Sequence, residues 1–262
     1  MLTFVGLGLY DEKDITLKGL EAVRTADKVY AEFYTSPLGG RTVEKMQREY
    51  GRRISVLERS DLEENAEAAE SGGILELAKS KNVVLLCGGD SMVATTHVDL
   101  RLRAIDREIK TRLIHAPSIL SAVAGLCGLQ NYKFGKSATV SPPYPHGCGG
   151  VISEVPYDTL KANKERGLHT LLFLDISMSV NEALGLLETV EERRRGTVLK
   201  NKKSIIVGIA RAGSEEPVVK ADYLEGLKSY DFGELPHVLV VPGELHFLEK
   251  EALVKIANFP AP

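Results

Sequence analysis

Residues 83–87 read Val-Val-Leu-Leu-Cys and run straight into Gly88-Gly89-Asp90-Ser91. An unbroken apolar run of that length, without polar alternation, predicts a strand covered on both faces, as in a parallel sheet flanked by helices. Two glycines at its exit allow a sharp turn and a close approach of a ligand to the main chain. Asp90 then falls at the carboxyl edge of the sheet, where open α/β folds hold their ligands. A second reading of the same residue makes it the N-cap of a helix starting near Met92.

The surrounding sequence carries the same rhythm. Strands are expected over residues 2–7, 28–33, 54–57 and 112–115. Helices are expected over 17–26, capped by Thr16, over 42–50, over a Glu- and Ala-rich stretch ending near Lys81, and over 93–105. Alternation of this kind implies a mostly parallel sheet with helices on both faces. Ala116-Pro117-Ser118 interrupts it, and an Ala-, Gly- and Ser-rich helix is expected over 119–129. The break divides the chain into an N-terminal α/β domain, 1–117, and a C-terminal α/β domain, 118–262. In the second half, strands are expected at 138–140, 170–176, 205–211 and 237–241, with helices at 158–166, 181–195 and 224–230. Residues 141–156, rich in Pro and Gly and carrying Tyr144, His146 and Cys148, are expected to be the least ordered.

Composition removes several function classes. A formal charge of −3 gives no footprint for nucleic acid, and the arginines at 52–53 and 193–195 are diluted by acidic neighbours. Three cysteines in no metal-ligand spacing, Cys87 and Cys127 within apolar runs, point to core thiols in a reducing compartment. No basic stretch with an apolar core opens the chain and no apolar run approaches membrane-spanning length, so a soluble cytoplasmic protein is expected. The six histidines lack paired spacing, so no metal site is expected. His115 and His169 sit at ends of apolar strands and read as core-edge residues; His237 begins a strand beside Pro236. Neither a Gly-x-Ser-x-Gly elbow nor a phosphate-loop lysine is present. Gly6-Leu7-Gly8-Leu9-Tyr10-Asp11 is half a dinucleotide fingerprint, but no third glycine opens a helix, which disfavours a nicotinamide site.

That opening string, with residues 14–20, resembles the start of the tetrapyrrole methylase-like superfamily. More specific strings are Ala31-Glu32-Phe33-Tyr34-Thr35-Ser36, Val93-Ala94-Thr95-Thr96-His97, His115-Ala116-Pro117-Ser118-Ile119 and Lys133-Phe134-Gly135-Lys136-Ser137-Ala138-Thr139. Residues 167–175 and Ala210-Arg211-Ala212-Gly213 complete a resemblance, end to end and in order, to the diphthine synthase family. The resemblance implies two α/β domains (a class III methyltransferase) with S-adenosylmethionine folded in a cleft between them, usually in a homodimer. It implies methylation of the amino group of a 3-amino-3-carboxypropyl histidine on translation elongation factor 2, giving diphthine and S-adenosylhomocysteine. By motif it carries cofactor contacts onto Leu9, Asp90, Val93, Ser118, Ile119, Leu174, Ala212 and His237. No general base is assigned. Where the family has Pro-Gly-Asp-Pro this chain has Gly88-Gly89-Asp90-Ser91, and residues 141–156 depart from the family pattern. A precorrin or corrin methyltransferase and a non-catalytic cofactor-binding module are the alternatives; Thr95-Thr96-His97 and residues 133–139 favour the first reading.

Overall fold

The computed structural model describes residues 1–36, 39–40, 42–68, 73–146, 149–200 and 204–260. Two units divide the chain, Met1–Ile119 and Leu120–Pro262.

In the first unit every residue of β1 (Leu2–Gly6) and of β4 (Val83–Cys87) is buried, as the apolar runs predict. With β2 (Lys28–Glu32), β3 (Ser55–Val56) and β5 (Thr111–Ile114) they form a parallel sheet in the order β3-β2-β4-β1-β5. Side chains alternate across the sheet, so each strand feeds two cores. Leu2, Phe4, Val83, Leu85 and Cys87 face one core, with α3 (Arg59–Glu63), α4 (Ile74–Ser80) and α5 (His97–Asp106). Val5, Val84 and Leu86 face the other, with α1 (Leu17–Thr25) and α2 (Val43–Tyr50). Both N-caps of that second layer are threonines: Thr16 accepts the Gly19 N–H at 3.1 Å and Thr42 the Lys45 N–H at 3.2 Å. Each such cap stabilises its helix by about 1 kcal/mol.

Two helices differ from expectation. The Glu- and Ala-rich stretch holds α3 and α4 rather than one helix, and residues 69–72 between them lie outside the described residues. Helix α5 starts at His97 instead of near Val93. Residues 91–96 are folded into turns: Asp90 accepts the Met92 N–H, the Thr95 hydroxyl donates to the Ser91 carbonyl, and Ala94 has a φ of +56°. A left-handed residue and a side chain capturing the backbone compete with helix initiation.

The second unit contains α6 (Ile119–Cys127, whose first residue closes the first unit), β6 (Ala138–Val140), β7 (Tyr144–His146), β8 (Gly149–Val151), α7 (Val155–Glu165), β9 (Thr170–Leu174), α8 (Val180–Arg194), β10 (Ile206–Ala210), β11 (Val218–Asp222), α9 (Leu224–Lys228), β12 (His237–Val241) and α10 (Phe247–Lys255). Its mixed sheet runs β11-β10-β12-β9-β6, antiparallel except for β6 beside β9. Leu172, Ile206 and Leu239 from the sheet pack against Leu160 of α7, Leu184 and Leu187 of α8 and Leu227 of α9. Within 141–156, expected to be the least ordered stretch, β7 and β8 pair as an antiparallel hairpin; Cys148 lies outside the described residues. Cys87 and Cys127 are free and buried, as expected of core thiols.

A polar knot joins the C-terminal helix to this unit. Glu249 of α10 is fully buried. One of its carboxylate oxygens accepts from the Gln130 N–H (2.9 Å) and His169 Nε2 (2.8 Å), the other from Lys133 Nζ (2.6 Å) and the His246 N–H (2.8 Å). His169 Nδ1 in turn accepts the Gly243 N–H at 3.0 Å. Burial alone would raise the Glu249 pKa, but the four donors outweigh it and hold the carboxyl down at about 2. Burial likewise lowers the pKa of His169, leaving a neutral ring that serves one donor and one acceptor. His169 is thus the satisfied core-edge residue the sequence predicts.

Candidate active site

Chain topology leaves room for a ligand beyond β1 and β4 in the first unit. Strand β1 connects through α1 to β2, on one side, whereas its neighbour β4 connects through α5 to β5, on the other. Adjacent strands whose crossovers depart in opposite directions leave an opening beyond their carboxyl ends, the usual ligand position in open α/β sheets. There the two strand exits are tied together. Gly8 N–H donates to the Gly89 carbonyl at 3.1 Å, and Gly89 N–H donates to the Gly8 carbonyl at 2.8 Å. Both glycines have positive φ, +81° and +64°. At Gly8 a Cβ would come within 2.3 Å of the Asp14 Cβ, so no larger residue fits. At Gly89 the nearest atom to such a Cβ is Ser118 Cβ at 3.7 Å, so main chain is presented to open space beside Ser118.

Five of the residues carried by the resemblance collect around that bridge. Leu9 follows Gly8 on a loop held by Asp14, whose carboxylate accepts the N–H groups of Tyr10 (2.6 Å) and Asp11 (3.2 Å). Asp90 and Val93 follow β4, and Ser118 and Ile119 follow β5. Asp90 is buried, and its carboxylate is fixed from three directions: by the Met92 N–H (3.0 Å) on Oδ1, and by His115 Nδ1 (2.8 Å) and the Ala116 N–H (3.3 Å) on Oδ2. With α5 beginning at His97, Asp90 is not the N-cap of that helix, which removes the capping alternative. A carboxylate offers about four acceptor positions, so one remains, on Oδ1. His115 itself is 69% exposed, which corrects the core-edge reading; its ring is held by Asp90 at the surface of the opening.

The other three residues sit together at one edge of the second sheet. Register pairs Val238 with Phe173 and His237 with Ala210, so Leu174, the exit of β10 towards Ala212, and His237 share that edge. The His237 ring is already committed: Nδ1 accepts the Val180 N–H at 3.3 Å and Nε2 donates to the Glu234 carbonyl at 3.0 Å. Burial pushes its pKa down, keeping it neutral. To a ligand it therefore offers main chain or ring surface, not a free nitrogen. Arg211, in a left-handed conformation at φ +51°, donates from Nη1 to the carbonyls of Phe232 (3.0 Å) and Glu234 (3.3 Å) and holds the same loop.

Sequence reasoning missed a buried brace behind Asp90. Glu32, at the end of β2, is fully buried and accepts from the Thr35 N–H (3.1 Å) and hydroxyl (2.5 Å). Its Oε1 lies 3.4 Å from His97 Nε2, while His97 Nδ1 donates to the Ser91 carbonyl at 3.0 Å. Burial first, and then the Glu32 charge, raise the Cys87 pKa well above its ordinary value, so its sulfur is a protonated thiol rather than a nucleophile. The three side chains place ligating atoms within 4.8 Å of one another, a spacing that a metal ion could bridge. Of these groups only His97 Nδ1 bonds the turn that carries Asp90 and Val93, through the Ser91 carbonyl; Glu32 is bonded to Thr35, and His97 Nε2 has no hydrogen-bond partner among the described residues. The signal was present as a lone Glu closing an apolar strand, a residue that is rarely buried without a partner.

Comparisons with known proteins show the family. Residues 1–226 match the family model of the tetrapyrrole (corrin/porphyrin) methylases. A diphthine synthase from Methanosarcina acetivorans is 59% identical, over 99% of this chain and 97% of its own length. The chain belongs to the tetrapyrrole methylase family, among its diphthine synthases. It is a methyltransferase with the two-domain α/β fold of that class. The diphthine synthase of Haloquadratum walsbyi is 48% identical, over 100% of this chain and 96% of its own. A crystal structure of a diphthine synthase superposes with a TM-score of 0.87 at 49% identity, covering 99% of this chain and 96% of that one. A putative diphthine synthase from Entamoeba histolytica gives 0.85 at 34% identity, covering 100% and 99%. Two positions beside Asp90 stand out in this tetrapyrrole methylase. A Cβ at Gly88 would approach the Ser36 Cβ to 2.6 Å. The Ser91 hydroxyl is buried without a hydrogen-bond partner among the described residues.

Proposed function

We propose that this chain transfers methyl groups from S-adenosylmethionine to the amino group of the 3-amino-3-carboxypropyl histidine of translation elongation factor 2, adding three to give diphthine. The reading is carried by the near full-length identity to diphthine synthases, 59% for the Methanosarcina acetivorans protein. The residues present suit the donor. Asp90 keeps one acceptor position for a hydroxyl or amino group, and its negative charge favours a nearby sulfonium. Gly89 leaves room for close main-chain approach, and Ser118 stands beside it. Leu9, Val93 and Ile119 in the first unit, and Leu174, Ala212 and His237 in the second, are proposed as further contacts with the donor.

S-adenosylmethionine supplies a methyl carbon already activated by a sulfonium, so alignment and exclusion of water are the main tasks left to the protein. The substrate amine must be neutral to attack. With a pKa between roughly 8 and 10.4, removing its proton at pH 7 costs about 1 to 5 kcal/mol. Transfer from water into an apolar environment offsets part of that cost.

We also propose a cytoplasmic homodimer. An apolar stripe on α5, Val98, Leu102 and Ile105, lies exposed at helical spacing and suits self-association. Among the described residues no helix is long and apolar enough to cross a membrane. Sedimentation of the wild type and of Leu102→Glu tests the dimer: an unchanged dimer in the variant removes the stripe from it. The activity is tested by incubating the protein with methyl-labelled donor, elongation factor 2 bearing the unmethylated precursor, and a tetrapyrrole. Label on the factor, with a mass gain of three methylene units, is expected. Label confined to a tetrapyrrole would overturn the substrate, and label on neither would overturn the activity.

A further inference from the structure

We propose that His115 is the proton acceptor for the substrate amine, oriented by Asp90; the assignment rests on the methyltransferase reading above. Its basis is geometric. The carboxylate of Asp90 is held by two main-chain N–H groups, from Met92 and Ala116, and in turn accepts from His115 Nδ1 at 2.8 Å. A carboxylate fixed by backbone and bonded to one imidazole nitrogen sets the tautomer and leaves the other nitrogen with its lone pair outward. That nitrogen, Nε2, belongs to a side chain 69% exposed at the opening beyond β1 and β4. His115 contrasts with the other histidines bonded into the fold. His97, His169 and His237 are buried or engage both ring nitrogens with protein groups, and the exposed His246 ring caps α10, whereas His115 alone among them is held by a carboxylate with no partner of Nε2 found among the described residues. Asp90 is the charged group set against the ring, and the Cys87 thiol stands behind Asp90.

Each transfer needs one proton removed. The ammonium gives its proton to His115 Nε2, and the freed lone pair forms the N–C bond to the methyl carbon. The C–S bond breaks, leaving its electron pair on sulfur, which becomes a neutral thioether. Adding three methyls to a primary ammonium releases three protons, so the base must be reset each time. The exposure of His115 lets its imidazolium pass the proton to water between rounds.

The test is single-turnover methylation of precursor-bearing elongation factor 2 across pH 6 to 9.5, for the wild type, His115→Ala and His115→Gln. Loss of a general base costs on the order of 100-fold at pH 7. Without the base, the rate should climb about tenfold per pH unit towards the amine pKa, so the gap to the wild type narrows as pH rises. Free imidazole should restore part of the His115→Ala rate at pH 7, which no structural role of the residue would produce. Calorimetric affinity for S-adenosylmethionine should stay within twofold. Variant profiles parallel to the wild type, or absence of rescue by imidazole, overturn the assignment. A wild type that methylates no elongation factor at any pH refutes the substrate reading instead, and the proposal with it.

Discussion

Replacing Glu249 by Gln keeps the shape of the side chain and removes the charge that four donors surround. In the folded chain its pKa is about 2, against an ordinary value of 4.5. A depressed carboxyl pKa adds stability that is present above the unfolded value and lost as pH falls through the folded one. The difference of about 2.5 units corresponds to about 3 kcal/mol in full, and linkage between those two values gives a loss of about 2 kcal/mol from pH 5 to pH 3. At neutral pH the variant should itself be less stable by about 3 kcal/mol, because the amide keeps one acceptor oxygen for two of the four donors and turns an NH2 group, with no charge, towards the other two. Urea titrations followed by far-UV circular dichroism suit a chain without tryptophan. Hydrogen exchange at β9 and α10 amides assigns the change to the second unit. Expected is a wild type whose stability falls from pH 5 to 3 by about 2 kcal/mol more than that of the Gln variant. The lowered pKa of His169 acts in the same direction, adding stability above its ordinary 6.5 that fades as pH drops. A His169→Gln background removes that second titration. Equal acid sensitivity with and without Glu249 would refute the argument that these hydrogen bonds hold the carboxylate ionised.

Three further substitutions probe the first unit. Asp90→Ala should weaken S-adenosylmethionine binding by roughly 10- to 100-fold, the worth of one charge-assisted hydrogen bond, while far-UV dichroism stays native; unchanged calorimetric affinity would remove Asp90 from the site. Gly8→Ala should cost about 2 kcal/mol or more, since a Cβ there meets Asp14 Cβ at 2.3 Å in a residue at φ +81°; a melting temperature equal to wild type would contradict the bridge geometry. Ser91→Ala should leave stability unchanged or raise it by up to about 1 kcal/mol, because it deletes a buried hydroxyl that lacks a partner; a loss above 1 kcal/mol in urea would show that the hydroxyl is bonded after all.

Local chemistry made much of this fold readable. The threonine caps at 16 and 42 and the apolar runs at 2–6 and 83–87 are written into neighbouring residues, and the observed elements follow them. Other features do not show in the apolar pattern. The sequence places the start of helix α5 four residues early because Val93 and Ala94 look helical by pattern; the turn bonds at Asp90 and Ser91 exclude them. Strand β11, with Lys220 and Asp222 on a half-buried sheet edge, lacks the apolar run that marks its neighbours. Helix α10 is capped by His246, whose ring and Glu249 form the capping box in place of the usual Ser, Thr, Asp or Asn. In the candidate site, motif likeness supplied Asp90 and Ser118. It did not reveal that Asp90 grips His115 or that Glu32 lies against His97 behind it, contacts spanning 25 and 65 residues of sequence.

The paired main-chain bonds between Gly8 and Gly89 have a mechanical consequence. Two loops stitched in both directions behave as a single plate, so load applied to one tip is felt by the other. A fluorinated tyrosine at Tyr10, on the Gly8 loop, is therefore the probe for whether a molecule seated against Asp90 shifts both loops together.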